Sequence, residues 1–264
     1  MRIASTVALF VLSNIAVSVA APGAWRQIGK EGDWKGTTAG TALGGVLYTV
    51  EKSGVLYRTE VPSGEWKSVG KKEFGNTAWL ADDGSNLFSI ERDGSLYCIN
   101  PKTGEWSRVG DEGEWKNTIA ADCAGGVLYS VDSDGSLYKT DLATAKWVKL
   151  GKEDFKNTRW LFVGKKDLFS IEKDGSLYRI NTADGTWAQV GKPGDWKNTM
   201  RAEVMGDRLF TVETDGTLYE TNLGTGEWAK IGKSEFKDTK WMGSTNGKLY
   251  SIESDGTLYE VEVD

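Results

Sequence analysis

The chain contains no histidine among its 264 residues. Imidazole is therefore excluded as a general base, as the orienting member of a nucleophilic triad and as a metal ligand. Cysteine is nearly absent as well, with only Cys98 and Cys123, which is too few for a disulfide scaffold. The two cysteines either pair in an oxidising compartment or remain as two buried thiols.

Long apolar runs are also absent, except at the N-terminus. Residues 1–20, MRIASTVALFVLSNIAVSVA, combine one arginine, an apolar stretch and a Ser-Val-Ala ending, which predicts a cleaved signal peptide. No segment of the remaining domain, residues 21–264, approaches the ~20 apolar residues that a membrane helix needs. The formal net charge of −6 argues against binding a phosphate backbone. We expect a secreted or periplasmic protein with no nucleic-acid partner and no membrane insertion.

What the sequence has is a repeat. Six tryptophans recur at intervals of 40 or 41 residues: Trp25, Trp66, Trp106, Trp147, Trp187 and Trp228. Each unit reads W-x-x-[IVL]-G, a polar loop with an aromatic residue, a small-residue stretch, and then two Leu-aromatic runs. Such runs alternate apolar and polar residues over lengths too short for helices, which indicates strands. Four strands in ~40 residues are typical of a β-propeller blade, so the sequence predicts six blades.

Each pair of Leu-aromatic runs is separated by Asp-Gly, or by Ser53-Gly54 in the first unit. Glycine allows the positive φ that a tight hairpin needs, so these pairs predict hairpin turns. DSDGS at Asp132 to Ser136 also resembles part of a calcium loop, but the glutamate that would end such a loop is missing. The last unit lacks a fourth strand, and the segment from Trp25 to Ile28 is a strand without a blade. We expect these two segments to pair and close the ring.

A longer period of 81 residues lies beneath the blade repeat. Tryptophan recurs at this spacing in the loops of odd units, at Trp34, Trp115 and Trp196, and in a strand of even units, at Trp79, Trp160 and Trp241. Even units carry phenylalanine in the loop. The ring is therefore predicted to consist of three blade pairs, with alternate grooves between blades differing in shape.

These aromatic residues are the main candidates for a binding site. The regularly spaced outer-strand tryptophans are expected to pack between blades, as are the Leu-Tyr pairs such as Leu96-Tyr97. The loop tryptophans Trp34, Trp115 and Trp196 instead lie among polar residues, where a large aromatic suggests recognition. Trp79, Trp160 and Trp241 either contact a ligand or fill a groove.

A polar residue followed by threonine recurs beside these loops. The positions are Asn76, Asn117, Asn157, Asn198 and Asp238. Their side chains offer hydrogen-bond donors and acceptors to the hydroxyl or acetamido groups of a sugar, or they only cap the turn before the innermost strand. Carboxylates also recur in every unit, whereas a catalytic pair needs two carboxylates in different environments. Repetition favours multivalent binding over catalysis, without cofactor or metal.

The segments VGDEGEWKNTIAADCAGGVLYSV (109–131) and VGKPGDWKNTMRAEVMGDRLFTV (190–212) resemble the tachylectin-2 and tectonin group of propeller lectins. That resemblance implies metal-free binding of N-acetylated sugars, of the GlcNAc or GalNAc type, at equivalent sites between blades. It places the sites at the loops with Trp34, Trp115 and Trp196, and with Phe74, Phe155 and Phe236 in even units. The small residues of the odd inner strands depart from the aromatic-rich strand of tachylectin-2.

A second resemblance is carried by GSLYCINPKTGEW, from Gly94 to Trp106. This segment is similar to the repeat of quinoprotein-type propellers, a group that includes pyrroloquinoline quinone dehydrogenases and outer-membrane assembly scaffolds. The sequence thus supports two functions: a secreted multivalent lectin, or a non-enzymatic propeller scaffold for protein-protein interaction.

Overall fold

A computed structural model describes residues 21–264, which form six four-stranded antiparallel sheets arranged as the blades of one ring. The predicted signal peptide, residues 1–20, lies outside the described residues. Within residues 21–264 no helix is long and apolar enough to cross a bilayer. The prediction of a six-bladed β-propeller is confirmed.

The strands of each blade run in chain order from the centre of the ring outward. Blade 1 contains β2 (Thr37–Leu43), β3 (Val46–Glu51), β4 (Leu56–Glu60) and β5 (Glu65–Val69), and blade 2 contains β6 (Thr77–Asp82), β7 (Leu87–Glu91), β8 (Leu96–Ile99) and β9 (Trp106–Val109). Blade 3 contains β10 (Thr118–Ala124), β11 (Val127–Asp132), β12 (Leu137–Asp141) and β13 (Trp147–Leu150), and blade 4 contains β14 (Thr158–Val163), β15 (Leu168–Glu172), β16 (Leu177–Ile180) and β17 (Trp187–Val190). Blade 5 contains β18 (Thr199–Met205), β19 (Arg208–Glu213), β20 (Thr217–Asn222) and β21 (Trp228–Ser234), and blade 6 contains β22 (Thr239–Thr245), β23 (Lys248–Glu253) and β24 (Leu258–Val261), completed by β1 (Trp25–Ile28).

The ring closes where β1 pairs with β24. Trp25 lies opposite Val261 and Ile28 opposite Leu258 in an antiparallel register. The outermost strand of blade 6 therefore comes from the other end of the domain, which confirms the predicted closure. A closed ring of this kind leaves only short sheet edges exposed.

The core consists of six hydrophobic clusters, one in each groove between neighbouring blades. The cluster between blades 1 and 2 contains Val50 and Leu56 from one sheet and Leu80 and Leu87 from the next. Its outer end is filled by Phe74, which comes from the loop that joins the two blades. The other loop aromatics, Trp34, Trp115, Phe155, Trp196 and Phe236, fill the five equivalent grooves.

A hydrogen bond fixes each loop aromatic to the preceding blade. The backbone N–H of Trp115 donates to the carbonyl of Gly94 at 3.0 Å, and that of Trp196 donates to the carbonyl of Gly175 at 3.0 Å. The same bond occurs in the other four grooves. In every case the acceptor is the glycine of the predicted hairpin turn: Gly54, Gly94, Gly135, Gly175, Gly216 and Gly256. We call this contact the turn clasp.

The turn glycines serve two purposes. Gly94 has a φ of +84°, which disfavours residues with a Cβ. A Cβ at this position would also overlap the backbone of Lys116 in the loop that is clasped. The hairpin turns predicted from Asp-Gly are therefore confirmed, and their glycines additionally allow the next blade to approach.

Replacing Gly94 by alanine should cost more than the backbone strain alone. Gly32 provides a matched control, because it has nearly the same φ, +88°, and a Cβ there would have nothing within 4 Å. We expect G32A to lower the free energy of unfolding by about 1 kcal/mol. G94A should lower it by about 3 kcal/mol or more, since the clasp must also shift. Urea unfolding of both variants measures the difference; equal losses would show that the turn clasp has no packing role.

Candidate functional site

The outer-strand tryptophans are exposed. Trp25, Trp66, Trp106, Trp147, Trp187 and Trp228 have between 45 % and 52 % of their surface accessible. The expectation that they pack between blades is wrong. In each W-x-x-[IVL] strand only the fourth residue is buried, such as Ile28 in β1. The loop aromatic already fills the groove, so the outer indole remains at the surface.

Each exposed indole packs against a tyrosine on the neighbouring strand, the third strand of its own blade. The ring centroids are 4.7–5.2 Å apart and the rings meet edge to face in all six blades. Leu96 is buried as predicted for the Leu-Tyr pairs, but Tyr97 is only half-buried because it supports Trp106. The tyrosine thus holds the indole in place while part of the ring stays accessible.

A carboxylate from the loop completes this arrangement. The indole N–H of Trp25 donates to Glu235 at 2.7 Å, and that of Trp106 donates to Glu73 at 3.0 Å. Trp187 and Trp228 donate in the same way to Asp154 at 3.1 Å and Asp195 at 3.4 Å. In blades 1 and 3 the equivalent residues, Asp33 and Glu114, line a recess together with Trp66 and Trp147.

We call the surroundings of these six indoles the rim pockets, and four of them form recesses in the surface. Those at Trp66, Trp228, Trp147 and Trp106 have volumes of about 260, 250, 220 and 120 Å³. Each contains the exposed indole, the supporting tyrosine, the loop carboxylate and a second carboxyl group at the end of the second strand. The second group is contributed by Glu51, Glu91, Asp132, Glu172, Glu213 or Glu253.

The strand-end carboxyl groups have unusual surroundings. Each accepts a hydrogen bond from a threonine at the start of the innermost strand, as in Thr77 to Glu91 at 2.8 Å and Thr239 to Glu253 at 2.8 Å. Burial raises the pKa of all six, and that of Glu253 reaches about 7. The hydroxyl bonds oppose this effect but do not cancel it.

The loop tryptophans proposed as ligand contacts are buried. Trp34, Trp115 and Trp196 are 2–5 % exposed and belong to the groove clusters. Their ring faces are therefore unavailable for stacking on a ligand, although each residue lines a rim pocket. Contact between these residues and a ligand stays a prediction, restricted to the part of each residue that borders the pocket.

The predicted polar positions lie beside the same pockets. Asn76, Asn117, Asn157, Asn198 and Asp238 are exposed. Asn76 and Asn198 line the pockets of Trp106 and Trp228. The backbone carbonyl of each accepts a bond from the residue after the strand-end carboxyl, as in Arg92 to Asn76 at 2.9 Å. Their backbone thus stabilises the turn, while their side chains remain candidates for ligand contact.

The tryptophans of the even inner strands lie elsewhere. Trp79, Trp160 and Trp241 are half-buried and line the central channel, which has a volume of about 660 Å³. The guanidinium of Arg159 lies 4.0 Å from the ring centroid of Trp160, and the indole of Trp241 donates to the carbonyl of Gly40 at 3.0 Å. The sequence-predicted aromatics are therefore divided between two surfaces.

The channel has charges of opposite sign at its two ends. Arg159, Arg201 and Lys240 come from the start of the inner strands, and Asp82, Asp122 and Glu203 from the end. Each carboxylate accepts a hydrogen bond from the other blade of its pair, from a residue 41 positions away in the sequence. Thr41 donates to Asp82 at 2.8 Å, the backbone N–H of Val163 donates to Asp122 at 2.7 Å, and Ser244 donates to Glu203 at 2.8 Å.

Burial and mutual repulsion perturb these acids. Burial is the main cause that raises the pKa of Asp122 to about 7 and that of Glu203 to about 8, and the other channel carboxylates add to it. The repeat pattern did not reveal this cluster: Asp122 and Glu203 share one position of the 81-residue repeat, but blade 1 has Thr41 there and Asp82 occupies another position. Cys98 and Cys123 are both free thiols, with Cys123 buried.

Comparison with known proteins identifies a family. A family model, PQQ_2, described as outer membrane protein assembly factor BamB, matches residues 65–264. The chain belongs to this family. Membership in the BamB family agrees with the quinoprotein-type resemblance of the repeat, whereas the tachylectin-2 and tectonin resemblance rests on sequence motifs alone. No curated protein matches the chain.

Solved structures agree on the propeller fold. A Bacteroides thetaiotaomicron protein of unknown function is 14 % identical, with a TM-score of 0.65 over 90 % of this chain and 73 % of that protein. The computationally designed Ika8 protein gives a TM-score of 0.55 at 14 % identity over 86 % and 71 %. PorZ, a surface component of the type-IX secretion system of Porphyromonas gingivalis, gives a TM-score of 0.55 at 14 % identity. The match covers 91 % of this chain and 39 % of PorZ. Identities this low show similarity of fold alone.

The channel acids predict a pH dependence of stability. Glu203 holds its proton in the folded protein up to about pH 8, whereas in the unfolded chain it loses it near its ordinary pKa of about 4.3. Between these values the folded state binds more protons, so the free energy of unfolding falls as pH rises. Glu203→Gln, which keeps the acceptor for Ser244, should reduce this slope by up to about 1.4 kcal/mol per pH unit. Urea unfolding from pH 4 to 9 tests it, and parallel profiles for both proteins would contradict it.

Proposed function

We propose that this member of the BamB family is a non-enzymatic propeller scaffold, secreted or periplasmic, that docks another protein through its rim pockets. The observation that carries the proposal is the set of six exposed indoles, each held by a tyrosine and bordered by two carboxyl groups. Exposed tryptophan is among the residues most enriched at the energetic centre of protein interfaces.

Two further points support docking over catalysis. The rim pockets repeat the same groups in every blade, whereas a general acid and a general base need different environments. The family description also names an assembly factor of the outer membrane. An assembly role requires a rigid surface that holds several partners or several parts of one partner, and a closed ring with turn clasps provides such a surface.

Multivalent binding of sugars is the second candidate function. A half-exposed indole can stack on the apolar face of a pyranose, and the neighbouring carboxylates and asparagines can accept or donate hydrogen bonds to its hydroxyl or acetamido groups. The rim pockets fit this role better than the loop tryptophans, because the loop tryptophan faces are buried. Six weak sites on one ring would gain avidity of ~10² to 10⁴ on a surface that carries GlcNAc- or GalNAc-type sugars.

A capture experiment with two matched variants tests the proposal. The immobilised protein is incubated with an envelope extract of the cells that produce it, and the retained proteins are identified by mass spectrometry. The rim variant W66A/W147A/W228A alters exposed indoles, and the channel variant W79F/W160F/W241F is its control. We expect the wild type and the channel variant to retain the same partner. The folded rim variant should retain at least about tenfold less of it.

Two results would change the assignment. Retention of the same partners by the rim variant would contradict docking at the rim pockets. Release of the bound material by free N-acetylglucosamine oligomers, but not by salt, would instead support the sugar-binding function.

A further inference from the structure

The rim pockets carry acidic groups that form no ion pair in the described part of the chain. Each pocket has a loop carboxylate and a strand-end carboxyl group, which makes twelve groups in the ring. Within residues 21–264 no lysine or arginine nitrogen lies within 4.0 Å of any of the twelve. The strand-end groups are at least partly buried, and a buried carboxylate without a cation is costly, so the pockets favour a ligand that brings positive charge.

The walls of the pockets also suit a cation. The face of an indole attracts a cation placed over the ring, and the effect is strongest for tryptophan. In the pocket of Trp228, this face is joined by Asp195, Glu213 and Asp215, while no basic residue lines the pocket. An aromatic face beside several carboxylates is the arrangement that an ammonium group requires.

Buried hydroxyl groups without partners give a second, independent indication. Thr221 lines the pocket of Trp228 and Thr49 lines the pocket of Trp66. Both side chains are fully buried, and neither hydroxyl oxygen has a hydrogen-bond partner in the described part of the chain. A buried hydroxyl normally finds a partner, so an N–H donor entering the pocket would satisfy an otherwise costly group.

The chain itself places a basic residue beside three of the six pockets. Lys52 lines the pocket of Trp66, next to Asp33 and Glu51. The equivalent residue, one position after the strand-end carboxyl, is Arg92 in blade 2 and Lys173 in blade 4. In these three blades the basic residue lowers the pKa of its neighbouring carboxyl group and so partly opposes the effect of burial.

The other three blades lack this residue. Their equivalents are Ser133, Thr214 and Ser254 in blades 3, 5 and 6. In blade 5 burial and the acid Asp215 raise the pKa of the strand-end Glu213, and the basic residue that opposes them is Arg159 at the channel. In blade 6 burial and the further acids Asp238 and Asp255 raise the pKa of Glu253. The pockets of blades 3, 5 and 6 are therefore the ones left without a basic residue from their own turn.

We propose that the rim pockets of blades 3, 5 and 6 bind lysine side chains of a basic partner polypeptide, with the ammonium group over the exposed indole and between the two carboxylates. This inference rests on the proposed docking function and names the chemistry of the partner. Lysine is the chosen source because the basic residue beside the pocket is lysine in two of the three blades that have one, Lys52 and Lys173. Three such pockets on alternating and neighbouring blades would select a partner with several lysines.

The test is calorimetry of the intact protein with a hexalysine peptide and with the same peptide acetylated on every side chain. Acetylation removes the charge and keeps the length, so we expect the acetylated peptide to bind at least about tenfold more weakly. The pocket variant E114Q/D195N/E235Q neutralises the loop carboxylates of blades 3, 5 and 6. It should weaken hexalysine binding about fivefold or more, because several sites act together.

The chain provides a matched control. The variant D33N/E73Q/D154N makes the same change at the equivalent loop positions of blades 1, 2 and 4, and it alters the net charge by the same amount. We expect it to weaken hexalysine binding by about twofold or less, since these pockets have their own basic residue. Both variants retain an oxygen that can accept the indole N–H, so both should fold.

Several outcomes would overturn the proposal. Equal weakening by the two variants would show attraction to net charge alone, and equal binding of the acetylated peptide would show that the ammonium is not recognised. Tighter binding of a glucosamine hexamer than of hexalysine would overturn the assignment to lysine. Failure of all cationic probes would leave the docking proposal standing, because the capture experiment identifies its partner independently through the rim tryptophans.

Discussion

The structure depends on the turn clasp between successive blades. A backbone N–H at each loop aromatic donates to the glycine carbonyl of the preceding hairpin turn, and the aromatic side chain then fills the groove between the two sheets. Only glycine permits both the positive φ and the close approach of the next loop, as at Gly94 and Gly175. Six repetitions of this contact, together with the pairing of β1 and β24, fix the ring.

The clasp also determines which aromatic residues are free to bind. Because Trp34 and its equivalents occupy the grooves, the outer-strand indoles have no groove to enter and remain at the rim. The loop that carries the buried aromatic carries an acidic residue immediately before it, such as Asp33 before Trp34 or Glu73 before Phe74. Packing of the aromatic therefore places the carboxylate beside the exposed indole, so the same short loop builds the core and one wall of the rim pocket.

The architecture could be predicted from the sequence because it follows from local signals that repeat. Six regularly spaced tryptophans indicated the number of blades, the Asp-Gly pairs indicated the hairpins, and the unpaired strand at Trp25 to Ile28 indicated the closure. The exposure of the tryptophans could not be predicted in this way. Trp34 lies among Gly, Asp and Lys and is buried, whereas Trp66 lies in a strand and is exposed, because burial depends on what the neighbouring blade covers.

Part of the missing signal was nevertheless present in the sequence. In W-x-x-[IVL] strands such as WRQI, only the last residue is consistently apolar, which agrees with one buried position per outer strand. The channel acids Asp82, Asp122 and Glu203 had no such signal. They come from three different blades and two different repeat positions, and they approach one another only when the ring is closed.

The central claim is that the exposed outer indoles, rather than the loop or channel tryptophans, form the binding surface. Nuclear magnetic resonance of the indole N–H groups in protein labelled with ¹⁵N-tryptophan tests it, because each of the twelve tryptophans gives one signal. Single Trp→Phe variants assign the signals, and hexalysine is the added ligand. We predict the largest shifts for the rim indoles, led by Trp25, Trp147 and Trp228, and smaller shifts for Trp34, Trp115 and Trp196, which border the same pockets. The signals of the channel residues Trp79, Trp160 and Trp241 should stay in place. Shifts confined to the channel tryptophans would contradict the account.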